Sequence, residues 1–157
     1  PRHERSLLLS AARSQLFNAV LAARVEQGNW NAPLAGDVWM LAGTHSIFGP
    51  EALTPQLQER HARADIDPTG PLWGIGELRS RDAVAELEAG IGVRFAELAA
   101  GLAANGLRQE RRSLVLRPRD FTMQWPGKSA CEISFYLNSG AYATVLLMEI
   151  FDYRQPG

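Results

Sequence analysis

The residues best suited by type and spacing to bind a ligand form an arginine-rich stretch in the last third of the sequence. Fifteen of the sixteen basic residues are arginines, and Lys128 is the exception. Arginine forks match phosphate oxygens and also stack on bases, as an RNA-binding edge requires. A solvated surface explains the same cluster equally well, so charge alone leaves both interpretations open. Beside the single acid Glu110, the cluster comprises Arg108, Arg111, Arg112, Arg117 and Arg119.

No side chains in the sequence have the spacing of a known catalytic motif. The glycine-rich segment 70–76 lacks the lysine and the strand-to-helix context of a phosphate loop. Ser139 precedes Gly140 without a nearby histidine, so a nucleophile elbow is not indicated. Asp37, Asp65 and Asp67 fall in predicted turns, where aspartate usually bonds to the backbone. The residues themselves therefore predict no active site within this chain.

Composition narrows the class of protein further. Cys131 is the only cysteine, which excludes an internal disulfide and fits a reducing, cytoplasmic location. His3, His45 and His61 lack ligand spacing, so we expect no metal. The net charge of −1 argues against a uniformly cationic nucleic-acid binder. No apolar run approaches the roughly 20 residues of a membrane span.

The first element that positions these residues is a long helix predicted over residues 6–27. Apolar side chains recur at spacings of three and four, and Gly28 ends the pattern. Arg13 and Asn18 interrupt it; they could line a groove or lie on a solvated flank.

The elements predicted after this helix are shorter. A strand is predicted over 37–41, a helix capped by Thr54 runs to about Ala64, and an ordered loop is predicted over 67–74. A further helix is predicted from Ser80 to Glu88; Gly90 and Gly92 break it, and it resumes over 93–104.

After Arg111 apolar residues alternate with polar ones and no longer recur at spacings of three and four. This period of two indicates β-strands. Three strands are expected, with residues 126–129 joining the second and third as a hairpin. Ser139 can cap a last helix from Ala141 to about Phe151, whose nearly continuous apolar surface predicts burial. The predicted fold class is α+β: a helix-rich part, then antiparallel strands and a buried C-terminal helix.

Five segments, in order, carry a resemblance to one family. The run 6–18 is similar to the signature S-x-x-L-S-A-x-R-S-x-L-F-N. Residues 36–43 resemble G-D-x-x-x-L-x-G, and residues 68–74 are identical to P-T-G-P-L-W-G. Arg111 and Arg112 match a double arginine. Residues 135–144 resemble F-x-L-P-x-G-S-Y-A-T, with Asn138 and Ala141 as mild departures. Together these segments resemble the C-terminal half of the TruD-type tRNA pseudouridine synthases.

The resemblance implies an isomerase that converts a D-arm uridine of tRNA, at position thirteen, to pseudouridine. It implies that residues 1–110 form mainly the family's insertion domain and residues 111–157 return to the catalytic sheet. The family's catalytic aspartate belongs to a G-x-K-D type motif, and a second motif, N-Y-F-G-x-Q-R-F-G, precedes the signature helix. Neither motif is among these residues. We therefore expect this chain to be part of a longer enzyme and to be inactive on its own.

The same resemblance implies tRNA as the partner, with no metal, no organic cofactor and no membrane, and a monomer at full length. A non-catalytic RNA-binding module, or an interaction domain whose arginines pair with acids, remains an alternative. For RNA binding, the predicted residues are Arg13, Asn18, Arg111, Arg112, Arg117, Arg119 and Tyr142.

Overall fold

A computed structural model describes residues 2–138 and 141–151. The chain divides into two compact units, residues 1–115 and residues 116–157. Within the described residues, the first unit holds four helices and a four-stranded sheet, and the second holds a two-stranded hairpin and one helix. The predicted α+β class is confirmed.

Helix α1 (Arg2–Glu26) crosses the first unit, and its predicted extent is confirmed apart from a start four residues earlier. Its apolar stripe is buried through Leu16, Phe17 and Val20. Gly28 ends the helix in the left-handed region, with a φ of 69°. Two of the three hydrophobic clusters are built on this helix, so α1 organises the core of the unit.

The sheet of the first unit consists of strands β1 (Trp39–Leu41), β2 (Ile47–Phe48), β3 (Ile66–Leu72) and β4 (Glu110–Ser113). It is antiparallel throughout and has the order β2–β1–β3–β4. Strand β1 confirms the prediction for this part of the chain. The sheet packs on α1, where Phe17 contacts Leu72 and Leu114.

The ordered loop predicted over residues 67–74 is wrong for most of its length. Residues 66–72 form the central strand β3, and all seven are buried. Proline and glycine are rare in central strands because proline donates no ladder hydrogen bond. Here Gly70 is closely packed, since a Cβ on it would lie 3.0 Å from side-chain atoms of Leu114 and Phe17, which would have to shift.

Three shorter helices complete the unit: α2 (Pro55–Ala62) packs on β3, whereas α3 (Asp82–Arg94) and α4 (Ala96–Ala104) pack on α1. The Thr54 cap of α2 is confirmed, because its Oγ1 accepts from Leu57 N at 3.2 Å. The predicted break at Gly90 and Gly92 is wrong; α3 continues to Arg94. Gly92 allows close packing there, since a Cβ on it would lie 3.2 Å from the Trp73 indole nitrogen.

The second unit contains strands β5 (Arg119–Gly127) and β6 (Ala130–Tyr136) and helix α5 (Ala143–Ile150). The predicted hairpin is confirmed, with antiparallel pairing of the two strands. The burial predicted for the last helix is not observed, because α5 has no buried residue in this chain. A two-stranded hairpin offers too little surface to cover an apolar helix. Ser139, its predicted cap, lies outside the described residues.

No helix in the described part of the chain combines the length and apolarity needed to cross a membrane.

Candidate nucleic-acid interface

Arg111 lies in the core of the first unit instead of on its surface. Its side chain is 1% exposed, and its Nη2 lies 2.6 Å from Oε1 of Glu88, which is 0% exposed. Nε donates to Thr69 Oγ1 at 2.7 Å, and Nη1 donates to Leu78 O at 2.6 Å and to the second Glu88 oxygen at 3.1 Å. Nη2 also donates to Thr69 O at 2.8 Å. All five N–H groups of the guanidinium therefore have acceptors.

Strand pairing and helix α3 together place this ion pair. Arg111 lies opposite Pro71 in the β3–β4 register, and Glu88 projects from α3. Ser80, predicted to cap that helix, instead donates from Oγ to Glu88 Oε2 at 2.5 Å. Burying charge is tolerated when the ions are paired and hydrogen-bonded, as both are here. Arg111 is thus a structural residue and leaves the set proposed to contact phosphate.

Arg13 also turns inward and fastens α1 to the end of β3. Its Nε donates to Trp73 O at 3.1 Å, and Nη2 donates to Leu72 O at 3.3 Å and Arg108 O at 2.5 Å. Nη1 forms an ion pair with Glu110 Oε2 at 3.0 Å. These contacts give acceptors to most N–H groups of the guanidinium. We therefore assign Arg13 a structural role and no longer expect it to contact phosphate.

A second buried ion pair joins α1 to the turn before β1. Arg24 Nη1 lies 2.5 Å from Asp37 Oδ1, with side-chain exposures of 1% and 0%. The Arg24 guanidinium also donates to the carbonyls of Asn29 and Ala32, and Asp37 accepts from Leu34 N at 2.8 Å. Burial raises the pKa of Asp37, while the bonds and charge of Arg24 act in the opposite direction.

The sequence patterns thus meet in one framework. Arg13 of the helix signature bonds to carbonyls of the 68–74 segment, and Arg111 bonds to Thr69 of that same segment. Asp37 of the 36–43 segment is held by Arg24. Sequence analysis missed Arg24 and Glu88, because nothing local marks a charged residue as buried. In the segments that contain Arg13, Asp37, Thr69 and Arg111, these residues therefore have roles in folding.

Two predicted RNA contacts, Asn18 and Arg112, lie at the surface of the first unit or close to it. Asn18 is exposed and lines a groove along α1. Arg112 is half-buried and places its guanidinium carbon 5.2 Å from the centre of the Phe17 ring. Arg108, also in the arginine-rich stretch, is exposed. Such stacked or exposed guanidinium groups can still meet a phosphate.

In the second unit, Arg117 and Arg119 are exposed, and Arg119 lies opposite Tyr136 in the β5–β6 register. Tyr142 precedes α5 and is 62% exposed. Within residues 2–138 and 141–151 its hydroxyl makes no hydrogen bond, so the exposed ring can contact a partner.

Among the described residues, no group of three or more His, Cys, Asp or Glu side chains could hold a metal ion. His61 instead has Nε2 2.8 Å from Asn31 O and Nδ1 3.2 Å from Ile66 O. Asp37 and Asp67 are buried, and the other turn aspartate, Asp65, is exposed. The described residues thus form a folding framework without a recognisable catalytic cluster.

Comparison with a solved structure defines the fold class. A Methanosarcina mazei crystal structure, described as a candidate tRNA pseudouridine synthase D (TruD), matches 90% of this chain and 36% of its own chain. The TM-score is 0.67 at 22% sequence identity, so this match shows the α+β fold alone.

Sequence comparison then gives the particular family. The family model described as tRNA pseudouridine synthase D (TruD) matches residues 1–150. Proteins with that name are 54% identical over 149 residues in Xanthomonas campestris and 47% identical over 149 residues in Aeromonas salmonicida. The chain belongs to the TruD family.

The chain spans about two fifths of the length of the curated relatives it matches. The Xanthomonas campestris alignment covers 94% of this chain and 41% of the relative, and the Aeromonas salmonicida alignment covers 95% and 42%. Relatives of this kind therefore contain a large part that has no counterpart in these 157 residues.

Proposed function

We propose that this chain is part of a tRNA pseudouridine synthase that isomerises a uridine in the D arm of tRNA, at position thirteen. The observation that carries the proposal is the family match over residues 1–150. The internal bonding of Arg13, Asp37 and Arg111 supports it, because each family pattern that contains one of them has a defined structural role in this chain.

Within that enzyme we assign residues 1–110 to the insertion domain and residues 111–157 to the catalytic domain. The division between compact units falls after Val115, close to that boundary. The uncovered apolar surface of α5 supports the second assignment, since a catalytic sheet would bury it. Val145, Met148 and Ile150 are exposed in this chain, with exposed fractions of 49%, 60% and 36%.

In the proposed reaction the target uridine is flipped out of the RNA stack, because its C5 is inaccessible while stacked. An aspartate outside these residues assists cleavage of the glycosidic bond. The uracil then turns and rejoins the ribose through C5, so the reaction is an isomerisation and consumes no co-reactant. This chain contributes tRNA contacts, for which we retain Asn18, Arg112, Arg117, Arg119 and Tyr142.

The 157-residue chain alone is proposed to be inactive, because the family's aspartate motif is not among its residues. The longer enzyme is proposed to be monomeric, cytoplasmic and free of metal or organic cofactor. A non-catalytic RNA-binding module is the second candidate, favoured by the lack of a recognisable catalytic cluster in the described residues.

A chimera separates these candidates. The aligned 149 residues of the Xanthomonas campestris relative are replaced by the matching segment of this chain. The purified chimera and the 157-residue chain are incubated with tRNA labelled with tritium at uracil C5, and released tritium is counted. We expect release by the chimera and none by the chain alone. A chimera that folds and binds tRNA but releases no tritium would favour the non-catalytic module.

A further inference from the structure

A groove of about 400 Å³ runs along the outer side of α1, beside the end of α3. Small and apolar side chains, among them Ala19, Ala22, Ile91 and Phe95, line part of the groove. All of these belong to the first unit. The volume is within the range of small-ligand sites, which combine an apolar floor with a few polar groups.

Four polar side chains line the same groove: Gln15, Asn18, Glu26 and Arg94. None of these side chains makes a hydrogen bond or ion pair within residues 2–138 and 141–151. The contrast with Arg13, Arg24 and Arg111 is sharp, because those guanidinium groups are nearly or fully satisfied internally. Polar groups around this groove are therefore available to a partner.

Arg94 adds a flat surface to this set. Its side chain is exposed, and its guanidinium carbon lies 5.3 Å from the centre of the Phe95 ring. Unstacked RNA bases are commonly held on guanidinium planes and aromatic rings, with amide side chains bonding to their edges. Gln15 and Asn18 can each supply a donor and an acceptor, and Glu26 can accept from an exocyclic amino group.

We propose that this groove holds an unstacked nucleobase of the tRNA, with Arg94 as the stacking plane and the amides of Gln15 and Asn18, one helical turn apart on α1, along the base edge. The inference rests on the proposed function, because tRNA is the occupant that it commits to. It adds a base-binding subsite on the first unit, on a side of α1 remote from the buried bonds of Arg13 and Arg24.

The test uses tRNA binding by the chimera, measured by fluorescence anisotropy with a labelled tRNA transcript. Ala22→Phe fills the groove, and Ala100→Phe adds the same bulk at an exposed position of α4. We expect Ala22→Phe and Arg94→Ala each to weaken binding about tenfold, the effect typical of losing one stacked base. Ala100→Phe should bind like the unsubstituted chimera.

Unchanged binding by both Ala22→Phe and Arg94→Ala would overturn the inference; Arg94 is exposed, so its loss does not threaten folding. Thermal melts provide a second check. If Ala22→Phe lowers the Tm of the chimera but not that of the 157-residue chain, another protein segment fills the groove, and the inference fails. Tritium release is scored separately: a chimera that binds tRNA without release contradicts the proposed function, while the binding comparison still decides on the groove.

Discussion

Arg111 and Glu88 form a fully buried ion pair, with 2.6 Å between Nη2 and Oε1, that ties strand β4 to helix α3. The pair links residues 23 positions apart, and Thr69 on β3 completes it. A charged side chain that is satisfied in this way serves the fold, and its loss should be felt in stability before any effect on RNA binding.

Removing the acid from this pair should be strongly destabilising. Glu88→Ala leaves the buried Arg111 charge without its partner, which costs about 3–5 kcal/mol in comparable pairs. Glu86→Ala, on an exposed position of the same helix, should change stability by less than about 0.5 kcal/mol. Urea unfolding of the 157-residue chain measures both. Equal free energies of unfolding for the two variants would contradict the structural role of the pair.

The sequence predicted what is encoded locally. Periodicity and the Gly28 stop gave α1, Thr54 and Pro55 gave the start of α2, and alternation gave the hairpin. Strand β3 was missed because its prolines and glycine favour a loop by local rules, whereas packing against α1 and two neighbouring strands stabilises it as a strand.

The candidate site was predicted less well. Arg13 and Arg111 have the composition of phosphate contacts, and only their distant partners show that they are internal. Three of those partners, Trp73, Thr69 and Glu88, lie 60, 42 and 23 residues away in the sequence. Asn18, in contrast, was placed in a groove or on a solvated flank, and the groove is observed.

Glycines in this fold should differ sharply in their tolerance of alanine. A Cβ on Gly74 would lie 2.4 Å from Leu107 O and 2.5 Å from Arg108 C, both backbone atoms. Gly74→Ala should therefore cost about 1–3 kcal/mol or more, as overpacked sites do. Gly101 lies within α4 with nothing near its Cβ position, so Gly101→Ala should stabilise by about 1 kcal/mol. Thermal melts that rank the two variants in the opposite order would contradict this packing.

The arginines retained for RNA binding should alter the salt dependence of tRNA affinity. Replacing Arg112, Arg117 or Arg119 with Gln in the chimera should each reduce the slope of log K against log salt by about one. Arg60→Gln is the control, because Arg60 belongs to α2, outside the arginine-rich stretch, and its guanidinium lies over the Phe48 ring. Slopes that stay unchanged in all three variants would show that the stretch is ordinary surface.

Helix α5 should be sensitive to substitution only where something covers it. In the 157-residue chain, Leu146→Ala should cost less than about 1 kcal/mol, since α5 has no buried residue. In the chimera the same change should cost about 2–5 kcal/mol, the usual range for a buried leucine. Tyr142→Phe should leave stability unchanged in both, because Tyr142 is exposed. Equal melting shifts for Leu146→Ala in chain and chimera would contradict the assignment of residues 111–157 to the catalytic domain.

The most direct test of the proposed function is to map pseudouridine in tRNA treated with the chimera. Carbodiimide modification followed by primer extension locates the modified base, and a transcript with cytidine at position thirteen is the matched control. We predict one stop, at the D-arm uridine of position thirteen, that is absent from the control and from tRNA treated with the 157-residue chain alone. A stop at another position, or none with a chimera that binds tRNA, would contradict the assignment.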